Sequence, residues 1–182
     1  RVAIDEVIAD PKTTAETKRK LLLAKEAKIF AEKNLSLRPT KNYETFVALQ
    51  DRYVTYAVSA AQAYELKTYL WSFPIVGSVP YKGFFTKEAA LAEESELKSQ
   101  GLDTYVRGVS AYSTLGWFND PLLSSMLNYE DHDLVNVVIH ESVHATIYIA
   151  DQADFNEQLA TFLGNKGTEL FYQEKEGLAS KE

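Results

Sequence analysis

Apolar positions recur at helical spacing along Leu21, Leu22, Ala24, Ile29 and Phe30. Pro11 and the segment Thr13-Thr-Ala-Glu16, which has the form of a capping box, precede them, and the pattern predicts an amphipathic helix to about Asn34. After the Arg38-Pro39 break, Tyr43 to Gln50 fits the start of another helix, whereas Tyr53 to Ser59 is rich in β-branched and aromatic residues and predicts a strand. Tyr64–Trp71 and Val79–Phe85 carry the same strand chemistry around the Pro74/Gly77/Pro80 turn region, which points to a small antiparallel sheet. Thr86 to Gln100 reads as a helix ended by Gly101, and a strand follows from Asp103 to Tyr112. Gly116 to Pro121 is a turn feeding a short helix from about Leu122 to Asn128.

The pattern then changes. From Asp131 to about Ala150 apolar residues fall on nearly every side of a helix: Leu134, Val135, Val137, Val138, Ile139, Val143, Ile147 and Ile149. A helix with no solvated face belongs inside a domain. The last helix starts at Asp154, where Asp154-Phe-Asn-Glu157 again has capping-box spacing.

Composition narrows the classes. The chain has 182 residues, 46% hydrophobic, which is enough for one domain with a real core and excludes disorder as the main state. A net charge of −7 argues against a surface built to neutralise phosphates, so nucleic acid is not an expected partner. The longest charge-free stretch, Thr68–Tyr81, is broken by two prolines and too short for a transmembrane helix. There is no Cys, so any metal must be held by His and carboxylates, and there are three His. The chain starts at Arg1 rather than Met and stops within helix-like sequence; we expect a piece trimmed at both ends.

His140-Glu141-Ser-Val-His144 is an HExxH pattern on the apolar helix. Residues four apart differ by about 40° in direction and about 6 Å in rise, so both imidazoles leave one face and can meet on one ion. Glu141, about 100° around, can reach a water there without ligating. This is the geometry of a zinc hydrolase helix, and a catalytic zinc usually takes three protein ligands plus water. His132 lies about 12 Å along the axis from His140, too far to be the third, and reads as a surface residue of the first turn. Glu157, opening the next helix, is the better choice, although an Asp-x-x-Glu segment also serves simply as a cap. Trp117, Phe118 and Tyr112 read as core or cleft wall; Tyr112 is also a candidate for stabilising an oxyanion.

His140-Glu-Ser-Val-His144 followed by Phe155-Asn-Glu157-Gln-Leu-Ala160 resembles the gluzincin peptidases. The runs Tyr81-Lys-Gly-Phe-Phe and Val106-Arg-Gly-Val-Ser-Ala-Tyr-Ser-Thr-Leu-Gly-Trp-Phe-Asn-Asp-Pro121, taken with that motif, resemble the bacterial putative aminopeptidase family from about Trp71 to Gly164. The resemblance implies a zinc metallopeptidase with His140, His144 and Glu157 as zinc ligands, Glu141 as general base and a peptide or protein as substrate. It also implies a place in the cell envelope or periplasm, since relatives are longer at both ends and often carry a signal or lipoprotein-type segment. Two departures stand out. Thr161 occupies the place where thermolysin-like gluzincins have an Asp that orients a ligand histidine, and a Gly-Ala-Met-Glu-Asn-like anchor for a substrate amine is missing.

The expected fold is an α+β zincin-like metalloprotease domain, mostly helical, with a small, mostly antiparallel sheet and an HExxH active-site helix. It would form one domain over 1–182, with a helical part to about residue 50 and the sheet and active-site part from about 51. The strand from Val106 to Tyr112 would be an edge strand able to pair with an extended peptide. The alternatives are a catalytically inactive zincin-like module that binds a peptide or protein, and a zinc hydrolase acting on a non-peptide bond.

Overall fold

The structure, a computed structural model, describes residues 1–49, 53–74, 77–109 and 119–177. In chain order the elements are β1 (Val2–Ala3), α1 (Ile4–Ala9), α2 (Ala15–Lys33), β2 (Thr45–Val47), β3 (Thr55–Gln62), β4 (Trp71–Phe73) and β5 (Gly77–Val79). They continue with β6 (Lys82–Phe84), α3 (Lys87–Ser99), β7 (Leu102–Val109), β8 (Leu122–Leu123), a 3-10 turn at Ser124–Asn128, α4 (Asp131–Thr146) and α5 (Ala153–Glu176). The class is α+β, with five α-helices and small, mostly antiparallel sheets among the described residues. None of these helices is long and apolar enough to cross a membrane.

The chain divides into two compact units. Among the described residues the first takes in 1–49, 119–148 and 155–177. Its α2 is capped by Thr14, whose hydroxyl oxygen accepts from the Thr17 amide at 3.1 Å, one residue later than the Thr13/Glu16 pattern suggests. The buried set Leu21, Ala24, Ala27, Phe30 and Ala31 keeps helical period, while Leu22 and Ile29 point outward. α2 packs on α4, and Phe30 meets Phe171 of α5 edge to face at 5.5 Å. No helix forms over 43–49. Thr45–Val47 instead pairs antiparallel with β1 and parallel with β8, so Leu122–Leu123 is strand and only Ser124–Asn128 is helical.

α4 carries the apolar residues expected of it: Leu134, Val135, Val138, Ile139 and Val143 are buried. It ends at Thr146, short of Ala150. The Thr146 hydroxyl donates to the Ser142 carbonyl at 2.7 Å and accepts from the Arg38 amide at 3.0 Å, and Ile147 turns extended, as β-branched residues favour.

The second unit takes in 53–74, 77–109 and 149–154. Its main sheet runs β6-β3-β7, wholly antiparallel, with α3 packed on it around a core of Val58, Ala60, Trp71, Ala90, Leu97 and Leu102. Among the described residues β7 stands at the edge of that sheet; residues 110–112 of the expected edge strand lie outside them. Thr86 caps α3 by accepting from the Ala89 amide, and Gly101 (φ +80°) turns the chain into β7. Tyr64–Trp71 does not form the expected strand. Only Thr68 bridges, to Ala61, and Trp71 opens β4, because Tyr64 and Leu66 lie fully exposed at a turn and have no face to bury.

Candidate metal centre

α4 and α5 bring three donors together. His140 and His144 are four residues apart on α4, and their Nε2 atoms lie 3.1 Å from each other. Glu157, in the first turns of α5, places Oε2 3.6 Å from His140 Nε2 and Oε1 3.5 Å from His144 Nε2. One ligand atom from each residue falls within 4.8 Å of the others. His144 is buried, His140 partly so, and Glu157 half exposed, so the cluster faces outward from the interior on its Glu157 side.

The stripe that carries Glu157 explains how the helices come so close. Ala160, Gly164 and Gly167 follow Glu157 at three-, seven- and ten-residue intervals, the spacing of one helix face. Ala160 is fully buried. A Cβ on Gly164 would lie 3.3 Å from Asn136 Oδ1 and 3.4 Å from His140 Cβ. One on Gly167 would lie 2.8 Å from Leu35 Cδ1 and 3.0 Å from Ile139 Cγ2. Asn136 Nδ2 also donates to Asn165 Oδ1 at 2.8 Å, tying the two helices one turn before His140.

The donor set fits a metal ion. Bonds of about 2.0–2.1 Å to a tetrahedral centre set neighbouring ligand atoms about 3.3 Å apart, and the three separations here bracket that spacing. The electrostatics run the same way. The His140 bond, reinforced by His144, holds the Glu157 carboxyl down at about 2 against its partial burial, so it is an anion at any ordinary pH. Burial disfavours a charged His140, yet the bond to Glu157 and the charge of Glu141 raise its pKa. The carboxylate is thus an anionic donor, and a metal ion bound here would take the place of the proton that the raised pKa favours on His140.

Glu141 is half-buried beside His140. Burial, then the negative charges of Glu141 and Asp120, push the Tyr43 phenol well above its usual range, so it stays protonated. Tyr43 is a buried aromatic with φ +59°, its amide donating to the Asp120 carbonyl at 2.7 Å. Nothing in the residue pattern around Lys41-Asn42-Tyr43 distinguishes it. His132 is exposed and pairs with Asp133 at 3.0 Å, away from the cluster, as the helical rise requires. Thr161 is exposed, and His144 Nδ1 is buried without a hydrogen-bond partner among the described residues, so Thr161 does not orient the His144 ring. Tyr112, Trp117 and Phe118 lie outside the described residues.

The sequence profile of the family described as Putative aminopeptidase matches residues 1–182. The chain belongs to this family. The match extends to the N-terminal third, where the resemblance in the sequence is weak, and takes in both compact units. No curated protein and no solved structure matches the chain.

Proposed function

We propose that this member of the putative aminopeptidase family is a gluzincin-type, zinc-dependent peptidase with a zincin-like active-site region, His140, His144 and Glu157 holding the metal and Glu141 acting as general base. The observation that carries the reading is the convergence of two imidazole Nε2 atoms and one carboxylate at tetrahedral-edge distances on two helices. The family description supports a peptide as substrate.

A zinc ion bound there supplies Lewis-acid polarisation of a carbonyl oxygen and acidifies a water. The chain's own groups do the rest. Glu141, adjacent to a ligand and on a different azimuth of α4, accepts the proton of the attacking water and passes it to the departing amine. Glu157 keeps its negative charge throughout because its pKa lies near 2. Tyr43, buried and protonated beside Glu141, adds no competing charge to that base.

Elemental analysis and a cleavage assay test this together. One zinc per chain is expected, lost in His140→Ala. Glu141→Gln is expected to keep zinc and lower cleavage of a peptide library by about 10²–10⁴-fold. Wild-type cleavage by Glu141→Gln would remove the base assignment, and zinc retained at full stoichiometry by His140→Ala would remove the metal site. Comparing peptides with free and acetylated amino termini then separates amino-terminal from internal cleavage.

A further inference from the structure

Asn136, His140 and His144 stand at four-residue steps along α4, so the line of side chains that carries the two imidazoles begins one turn earlier with a carboxamide. Its neighbours Leu134, Val135, Val138 and Ile139 are buried and apolar. On α5 this carboxamide meets Gly164 and Asn165, two of the poorer helix formers, side by side inside a 24-residue helix. Local propensity disfavours both. Such conflicts collect where something other than helix stability is at stake.

The contact accounts for the pair. A Cβ on Gly164 would lie 3.3 Å from Asn136 Oδ1 and 3.5 Å from Asn136 Nδ2, so the carboxamide lies across α5 at a residue with no side chain. From there Nδ2 donates to Asn165 Oδ1 at 2.8 Å. Gly164 supplies the room and Asn165 the acceptor.

Glu157 lies on the same helix, eight residues before Asn165 and about 12 Å away along the axis, and a helix passes an axial shift along its whole length. A slide by one residue's rise, about 1.5 Å, is several times the tolerance of about 0.2 Å that metal–ligand bonds allow. Apolar packing along the small-residue stripe is non-directional. A hydrogen bond weakens steeply once donor and acceptor are displaced, so the Asn136–Asn165 bond resists the slide that packing alone permits.

We propose that Asn136 is a positioning residue for the metal centre: its side-chain bond to Asn165, made over Gly164, sets the axial register of α5 against α4 and with it the reach of Glu157 to His140 and His144. The inference rests on the metal-site reading above. Asn136 touches neither metal nor substrate in this role; it acts through α5.

The test is the zinc dissociation constant of the full chain, measured by chelator competition, with the metal-free melting temperature recorded for each variant. Asn165→Asp keeps the Oδ1 acceptor and is expected to bind zinc within about twofold of wild type. Asn165→Ala and Asn136→Ala each remove the bond and are expected to bind about fivefold more weakly, the share of affinity that one hydrogen bond carries. Because Asn165 is exposed and alanine favours the helix, the metal-free melting temperature of Asn165→Ala should equal that of wild type or exceed it, so a weaker site in that variant is not a loss of stability. The double variant should bind as each single variant does, since there is one bond to lose. If wild type binds zinc, His140→Ala does not, and both alanine variants bind like wild type, the positioning role is overturned while the metal site stands. Losses that multiply in the double variant would overturn it as well, because the two side chains would then act separately. If wild type binds no zinc, both fall.

Discussion

The two ends of α4 each gather charged side chains, and they differ in how the charges are met. At the N-terminal end Asp131 is held by Arg19, through Nη2 at 2.9 Å and through Nη1, and by Lys20 Nζ at 2.8 Å, while Lys20 also donates to the Tyr129 carbonyl. The Arg19 bonds, helped by Lys20, hold the Asp131 carboxyl near 2 against its burial. Lys20 is buried with its charge fully met, and an anion in the first turn of a helix is favourable in itself. At the other end Glu157 has the same depressed pKa, but among the described residues its ion-pair partners are two imidazoles, groups that bind metals when neutral. A cavity of about 480 Å³ opens at the first cluster, lined by residues such as Glu16, Arg19, Lys20 and Asp131. Size does not identify the site; the donor chemistry does. Protein cations complete the first cluster and make it a structural joint, whereas the second sets two imidazole nitrogens and one carboxylate close enough together to hold a metal ion.

The contrast can be broken by substitution. Glu157→Ala is expected to weaken zinc by at least about a hundredfold, more than loss of an orienting partner would, while leaving the metal-free melting temperature near wild type because the side chain is half exposed. Asp131→Ala should do the reverse. It strips the partner from buried Lys20 and is expected to cost about 2 kcal/mol of stability, less than a fully buried pair because Asp131 is itself a third exposed. Zinc stoichiometry should not change, and a loss of zinc in Asp131→Ala would erase the distinction between the two ends.

Acid sharpens the same point. Asp131 has a folded-state pKa near 2, below its unfolded value of about 3.9, so its contribution is present above that value and is lost as pH falls from about 5 towards 2. Metal-free wild type should therefore lose stability over that window, and Asp131→Asn should lose less, as read by denaturant melts at each pH. The smallest effect is expected of Gly164→Ala. The added methyl group meets Asn136 Oδ1 at 3.3 Å, so that side chain must give by a few tenths of an ångström, and it rests on the His140 Cβ at 3.4 Å. Replacing a helical glycine by alanine favours the helix by about 1 kcal/mol, which offsets the crowding in a melt. Zinc affinity should nevertheless fall a few-fold, and unchanged affinity would show that α5 has room to spare against α4.

Much of this is legible in the sequence. α4 declares itself through apolar residues on every side, and the i, i+4 spacing of His140 and His144 brings both rings to one face whatever surrounds them. The strand chemistry of 53–59 and 102–109 survives as the central pair β3–β7, because alternating β-branched and aromatic residues there have a helix to bury against. Tyr64–Trp71 has the same composition but its large side chains face solvent, and it stays mostly turn. Leu122–Leu123 reads locally as a helix start; a remote partner, β2, makes it a strand. The capping-box reading at Asp154 and the ligand reading of Glu157 fit one residue pattern equally well, and sequence spacing favours one only through the distance argument against His132.

By itself the sequence determined the helix that bears the two histidines, their common face, and, with no cysteine in the chain and His132 too far along the helix, that any third donor to a metal there is a carboxylate. These follow from short-range geometry, where rise and angle per residue are constants of the backbone. Tertiary structure alone decided that Glu157 reaches them. That depends on a stripe of small residues, Ala160, Gly164 and Gly167, letting α5 lie close to α4. Contacts between segments far apart in sequence arise from packing, and no local spacing encodes them.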